Sequence, residues 1–210
     1  GLLLLGALAF LAMEWGNPGT LGPQDFRTKL LSSWFQSVTP RTAGFNSIAE
    51  ENLTKPAAFL TIILMFIGAS PGGTGGGIKT TTFAVAVALV RMSVSGGQDV
   101  ELGRRRMPTD VVGKAITIIM LSLSLVVVAT MIVSGLEQAR FLDVLFEVVS
   151  AFGTVGLSRA LTGSLSTASK IVIMGTMFAG RVGPLSLAVA LSRQKGSGKA
   201  RYTEERVTVG

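Results

Sequence analysis

Two short loops carry the chemistry open to this chain: Thr42-Ala43-Gly44-Phe45 in its first half and Thr154-Val155-Gly156-Leu157 in its second. In each, a threonine supplies a carbonyl and a hydroxyl. A glycine then admits backbone angles closed to other residues, so adjacent carbonyls can turn inward together. Oxygens arranged in this way can replace the water shell of a potassium ion. Such irregular backbone is tolerated at membrane depth only where it is buried in protein or lines a water-filled cavity. A single Thr-x-Gly is an ordinary turn, and its duplication at a fixed spacing is what gives it weight.

The spacing that carries Thr42 onto Thr154 holds in the flanks that must position the loops. Leu30 matches Leu142, Trp34 matches Phe146, Met65 matches Met177, Phe66 matches Phe178 and Gly68 matches Gly180. Each copy reads as an apolar helix, a short helix, the Thr-x-Gly loop and a second apolar helix broken at a glycine. Internal duplication with interrupted hydrophobic segments points to membrane transport. In the first copy, residues 1–13 end a transmembrane helix, and residues 14–19 are a polar exit with Trp15 at the interface. Residues 24–38 carry Phe26, Leu30, Leu31, Trp34, Phe35 and Val38 at helical spacing. At 1.5 Å per residue this helix is about 20 Å long, against about 30 Å of hydrocarbon, so it enters a membrane without crossing it. Pro40 stops it. A helix is expected over 56–68, a break over 69–77, and a resumed helix from about Ile78 to near Arg91. The second copy has a spanning helix at about 111–134, a short helix at 138–150, its loop at 153–158, and a last helix over 167–192 bent near Gly183-Pro184. The units are therefore a repeat over 1–91, a linker over 92–110, a repeat over 111–192 and a tail over 193–210.

Composition agrees with a membrane protein. Apolar residues make up 48% of the chain and charged residues 15%, where a soluble domain carries about 25% charged residues. Cysteine and histidine are absent, which removes disulfides, thiolate chemistry and the commonest general base. No nucleophile–base or metal constellation is apparent, so an enzyme is not expected. Net charge is +7. Arg91, Arg104, Arg105, Arg106 and Lys114 cluster between the repeats, and Arg193, Lys195, Lys199, Arg201 and Arg206 cluster in the tail. The positive-inside rule makes both regions cytoplasmic, with two crossings and a re-entrant hairpin between them. This charge tracks helix ends, which argues for membrane topology rather than nucleic acid. Glu14, Asp25, Glu50, Glu51, Glu137, Asp143 and Glu147 then fall on the outer half. There they either concentrate cations or simply cap helices and solvate loops. The chain begins at Gly1 inside an apolar run, without a basic n-region, and reads as a truncated start rather than a signal peptide.

Two further features bear on the loops. Gly72, Gly73, Thr74, Gly75, Gly76 and Gly77 precede Ile78-Lys79-Thr80. A phosphate-binding loop needs Gly-Lys adjacent, and here Ile78 intervenes without a preceding soluble strand. So many glycines cannot hold a regular helix. The segment is either a mobile stretch presenting carbonyls to an ion path or a flexible break without function. Arg181 lies within an apolar helix, where an arginine is costly and faces a cavity or a partner. It either lines the path or bonds loop carbonyls. Lys79 is less diagnostic, with a place near the cytoplasmic end where it can snorkel.

Residues 39–46, residues 68–82 and residues 152–158 resemble the Trk/Ktr/HKT superfamily of potassium transporters, most nearly its Ktr membrane subunit, and residues 201–207 resemble the end of that subunit. The resemblance implies an all-α membrane protein built from two tandem helix–pore-loop–helix repeats, the third and fourth of a four-repeat pore. It implies a potassium filter at Thr42, Ala43, Gly44, Phe45, Thr154, Val155, Gly156 and Leu157, with potassium held by backbone or hydroxyl oxygens. It also implies gating by Gly72, Gly73, Thr74, Gly75, Gly76, Gly77, Lys79 and Arg181. It further implies a plasma-membrane homodimer, sodium as coupling or activating ion, no covalently bound cofactor, and nucleotide acting only through a cytosolic RCK-type regulatory subunit. Arg159-Ala160-Leu161-Thr162-Gly163 departs from the family, which more often has Thr-Gly-Leu-Thr-Pro-like residues there. Arg159 either stands outside the filter or points into an external loop. A non-conducting scaffold or regulatory subunit is the alternative reading.

Overall fold

The structure is a computed structural model that describes residues 1–73, 75–97, 99–102, 105–183 and 186. Its described residues form α1 (Leu2–Glu14), α2 (Phe26–Val38), α3 (Lys55–Phe66), α4 (Thr80–Ser95), a small antiparallel hairpin of β1 (Glu101–Leu102) and β2 (Arg105–Arg106), α5 (Thr109–Leu136), α6 (Phe141–Phe152) and α7 (Thr167–Val182). Short 3-10 turns at Glu50–Asn52 and Thr162–Ser164 follow the two loops.

The duplication is physical. The 3-10 turns start at Glu50 and Thr162, and α3 and α7 start at Lys55 and Thr167. Both pairs keep the spacing of Thr42 and Thr154. The hydroxyls of Thr54 and Ser166 cap α3 and α7, accepting from the N–H of Ala57 at 3.4 Å and of Ser169 at 3.3 Å. Each capping residue is in turn held by a carboxylate at the end of its repeat's first helix. Thr54 N–H donates to Glu14 at 2.9 Å and Ser166 N–H to Glu137 at 2.8 Å. Glu14 and Glu137 do not keep the repeat spacing, so the same tie is reached from different positions.

Packing follows the repeats. The first helix of each repeat packs on its short helix, α1 on α2 and α5 on α6, while α3 and α4 cross over to α6 and α5. The main core lies between the repeats, around Met65, Val133, Phe146, Val149 and Phe152. α6 is buried along most of its length from Asp143 to Phe152. α2 is inverted relative to a soluble helix. It buries Lys29, Ser32, Ser33, Gln36 and Ser37 and exposes Phe26, Leu30, Leu31, Trp34 and Phe35. An outward apolar face of this size suits lipid or another protein surface rather than water. Its inward polar face is satisfied partly by helix–helix bonding, as where Ser37 Oγ donates to Leu3 O at 2.8 Å.

Among the described residues, α5 is the helix long and apolar enough to cross a membrane, at 28 residues and mean hydropathy 2.7. Only 28% of its apolar window is buried, so most of that surface faces outward. α2 and α6, at 13 and 12 residues, remain too short to cross.

Several expected boundaries move. Helix resumes at Thr80 rather than Ile78, because Ile78 instead forms a bridge with Ile67, accepting from Gly68 N–H at 2.9 Å and donating to Phe66 O at 3.2 Å. α4 continues past Arg91 to Ser95, where Gly96 stops it at φ +68°. The short helix of the second repeat begins at Phe141 rather than 138, since α5 runs on to Leu136. α7 ends at Val182, with Gly183 at φ +91°. Pro184 and the tail lie outside the described residues.

Candidate ion pathway

The two Thr-x-Gly loops share one backbone path. Thr42 and Thr154 have φ of +67° and +51°, and Gly44 and Gly156 of +73° and +94°. Ala43 and Val155 between them are not in the left-handed region. Alternation of hand along a segment turns successive carbonyls to the same side, which an ordinary turn does not do. Left-handed threonine costs about 1–2 kcal/mol and persists only where surroundings enforce it.

Those surroundings are the other loop and the glycine-rich segment. Thr42 Oγ1 donates to Gly153 O at 3.2 Å across the repeats. A Cβ on Gly44 would stand 2.2 Å from Val155 O, so the two loops touch through their backbones. Gly76 N–H donates to Thr154 Oγ1 at 2.9 Å. A Cβ on Gly75 would stand 2.7 Å from Thr42 Oγ1. Each loop threonine therefore rests against a glycine of the segment. Of the remaining loop residues, Val155 and Leu157 are buried, while Ala43 and Phe45 are exposed.

The matched glycines Gly68 and Gly180 are points of close approach. A Cβ on Gly68 would lie 2.1 Å from Gly76 O, and one on Gly180 would lie 1.9 Å from Phe152 O. Arg181 follows Gly180 in the last turn of α7 and is exposed. Lys79 does not snorkel away. Its Nζ donates to Gly75 O at 2.6 Å and Gly73 O at 3.3 Å, placing an ammonium on the carbonyls of the glycine-rich segment. Gly72 and Gly77 take φ of +85° and +73° at its two ends. Thr74 lies outside the described residues.

Arg159 neither stands in the mouth of the loops nor points to solvent. It is buried, and its Nε donates to Asp143 at 2.8 Å. Its Nη1 and Nη2 donate to the carbonyls of Glu50 at 2.5 Å and Glu51 at 3.2 Å. It thus braces the second loop against the connection that follows the first. Glu147 closes the same region within the second repeat, accepting from Ser158 and from the N–H and hydroxyl of Thr162. Glu50 is fully buried, and burial pushes its carboxyl up to about 7 despite the Gln36 bond at 2.7 Å and the nearby Arg159 charge. Neither Gln36 nor this use of Arg159 was among the sequence-derived site residues. The available signal was the polar face of α2 opposite its aromatic stripe.

Residues 7–201 match the family model described as TrkH, cation transport protein. The chain belongs to this family. Over its whole length it is 40% identical to the Ktr system potassium uptake protein B of Bacillus subtilis, covering 48% of that protein. It is 36% identical to the potassium/sodium uptake protein NtpJ of Enterococcus hirae, again covering 48%. The crystal structure of the potassium transporter TrkH from Vibrio parahaemolyticus superposes with a TM-score of 0.73 at 20% identity, over 91% of this chain and 42% of that one. The family is thus one of cation transport proteins, not enzymes, and the fold is TrkH-like. The chain spans about half the length of the curated relatives it matches.

Proposed function

We propose that this chain supplies half of a potassium pathway across the plasma membrane, with Thr42–Phe45 and Thr154–Leu157 as two of four filter loops. The observation that carries this reading is the shared left-handed pattern of the loops, seated on the glycine-rich segment. Neutral carbonyls turned to one side suit a weakly hydrated monovalent cation. The segment over 72–77, held by Lys79, acts as the gate beneath the filter, and Arg181 limits cation passage beside it. The repeats over 1–91 and 111–192 carry the path, and the linker over 92–110 and the tail are cytoplasmic. There they meet a nucleotide-binding RCK-type regulatory subunit, and the complete transporter works as a homodimer with sodium as coupling or activating ion. The engagement of Arg159 with Asp143 leaves the loop mouth without that cation and so favours conduction over a non-conducting scaffold.

Rubidium uptake by the full-length gene product in cells deficient in potassium uptake tests this reading. Uptake that tracks expression is expected, and none above vector would reject it. In the same cells, deleting residues 73–76 is expected to raise flux or uncouple it from regulation. Unchanged flux and regulation would remove the gate.

A further inference from the structure

The first repeat buries oxygen atoms that the protein leaves unmatched. Glu50 and Gln36 are both 0% exposed and Ser33 is 2% exposed. Gln36 Nε2 donates to Glu50 Oε1 at 2.7 Å. Among the described residues, Glu50 Oε2, Gln36 Oε1 and Ser33 Oγ have no hydrogen-bond partner. Ser33 and Gln36 stand one turn apart on the inward polar face of α2, so their side chains are neighbours. Three buried oxygens without partners, two of them one turn apart on α2 and the third on the carboxyl that Gln36 bonds, carry a desolvation cost that a native protein normally offsets.

Charge balance sharpens the point. Arg159 is the nearby cation, yet its guanidinium is matched by Asp143 at 2.8 Å and otherwise serves the main-chain carbonyls of Glu50 and Glu51. Glu14, the other buried carboxylate nearby, is occupied by Asn17, Thr20 and Thr54. Of these two buried carboxylates, Glu50 is the one left with an unpartnered side-chain oxygen. A carboxylate, an amide oxygen and a hydroxyl are hard ligands suited to a hard cation. A charged carboxylate exerts a stronger field than neutral carbonyls and so favours the smaller alkali cation, unlike the filter loops.

We propose that Ser33, Gln36 and Glu50 form a buried sodium site in the first repeat, between α2 and the turn that Arg159 ties to the second loop. This deepens the sodium part of the proposed function and rests on that reading. Occupancy would fix the Glu50–Asn52 turn, and through Arg159 the seat of the second filter loop, linking sodium to the path without sodium passing through it.

The test uses the purified full-length transporter with sodium chloride as the probe, against potassium chloride and choline chloride at equal ionic strength. Thermal unfolding should show a saturable, sodium-specific rise in Tm for the wild type and for E51Q, whose exposed side chain lies outside the site. E50Q should abolish the rise. S33A, which removes one neutral ligand and keeps the charge, should raise the half-saturating sodium concentration about tenfold. A rise that persists in E50Q, an equal rise with potassium, or no sodium-specific rise in the wild type would overturn the site. So would wild-type sodium affinity in S33A, which also serves where E50Q fails to fold. Rubidium uptake on the same preparation keeps the readings apart: binding without uptake rejects the pathway, and uptake without a sodium-specific shift rejects the site.

Discussion

Gly180→Ala is the sharpest test of how the loops are held. Gly180 sits in α7 where that helix meets the end of α6, and the added Cβ would fall 1.9 Å from Phe152 O, 2.8 Å from its carbonyl carbon and 3.0 Å from its Cα. Ordinary contact begins at 3.4 Å, so all three atoms stand too close and the oxygen must retreat furthest. These atoms belong to backbone, and no rotamer change relieves them. Overpacking of this kind costs about 1–3 kcal/mol. The rigid clash with main chain puts this case at the upper end, near ~3 kcal/mol. Phe152 lies two residues before Thr154, so the strain passes directly into the second loop. Gly175, five residues earlier in the same helix, has nothing within 4 Å of its added Cβ. Gly175→Ala should gain up to ~1 kcal/mol from helix propensity. Thermal unfolding and rubidium uptake of the full-length transporter should therefore separate the two variants, with Gly180→Ala losing stability and at least tenfold in uptake. Wild-type behaviour of Gly180→Ala, or equal loss in Gly175→Ala, would refute the close-approach argument.

Arg159→Ala should cost about 3 kcal/mol, the low end for breaking a buried pair, because Arg140 at 2.9 Å still serves Asp143. Arg159→Lys should recover less than half of that, since one ammonium cannot reach three acceptors on two elements; a fully stable lysine variant in thermal unfolding would count against the brace. The Glu50 carboxyl binds its proton more tightly in the folded chain, so its contribution is fully present below its ordinary 4.5 and is lost as pH rises to about 7. That interval corresponds to about 3 kcal/mol. In choline buffers, wild-type stability should fall across that window and level off above it, while Glu50→Gln should be flat there. Parallel profiles for the two proteins would assign the slope to other groups. Asp25 and Glu137, held low by bonds from Thr28 and from Ser169 and Ser166, act with the opposite sign below the usual carboxylate range.

The loops were legible because their requirement is local. A left-handed backbone at two positions per loop selects glycine at one of them, and the duplication repeats it. Gly68 and Gly180 were legible as a matched pair for a related reason, since only a missing Cβ lets Gly76 O and Phe152 O come so near. Other features depend on distant partners. Arg159 acts on the Glu50 carbonyl in the other repeat, and its role is invisible in the residues beside it. The spacing of Phe26, Leu30, Leu31, Trp34 and Phe35 identified a face of α2 but not its direction. Periodicity says which side chains share a face, and the surroundings decide whether that face turns inward. Lys79 turns back onto the glycine-rich segment because a flexible stem reaches back over a turn as readily as outward.

The duplicated frame carries unequal chemistry where each short helix meets the turn after its loop. In the second repeat the short helix is buried along most of its length, and its Glu147 is met by Ser158 and Thr162. In the first repeat the carboxylate stands at position 50, which matches Thr162 at the repeat spacing, and its partner Gln36 stands on the short helix one residue past Phe35, the match of Glu147. Donor and acceptor have thus changed sides of the same junction. The exchange leaves the second repeat with a satisfied carboxylate and the first with oxygens to spare. Divergence at this junction leaves the left-handed angles at Thr42, Gly44, Thr154 and Gly156 in step.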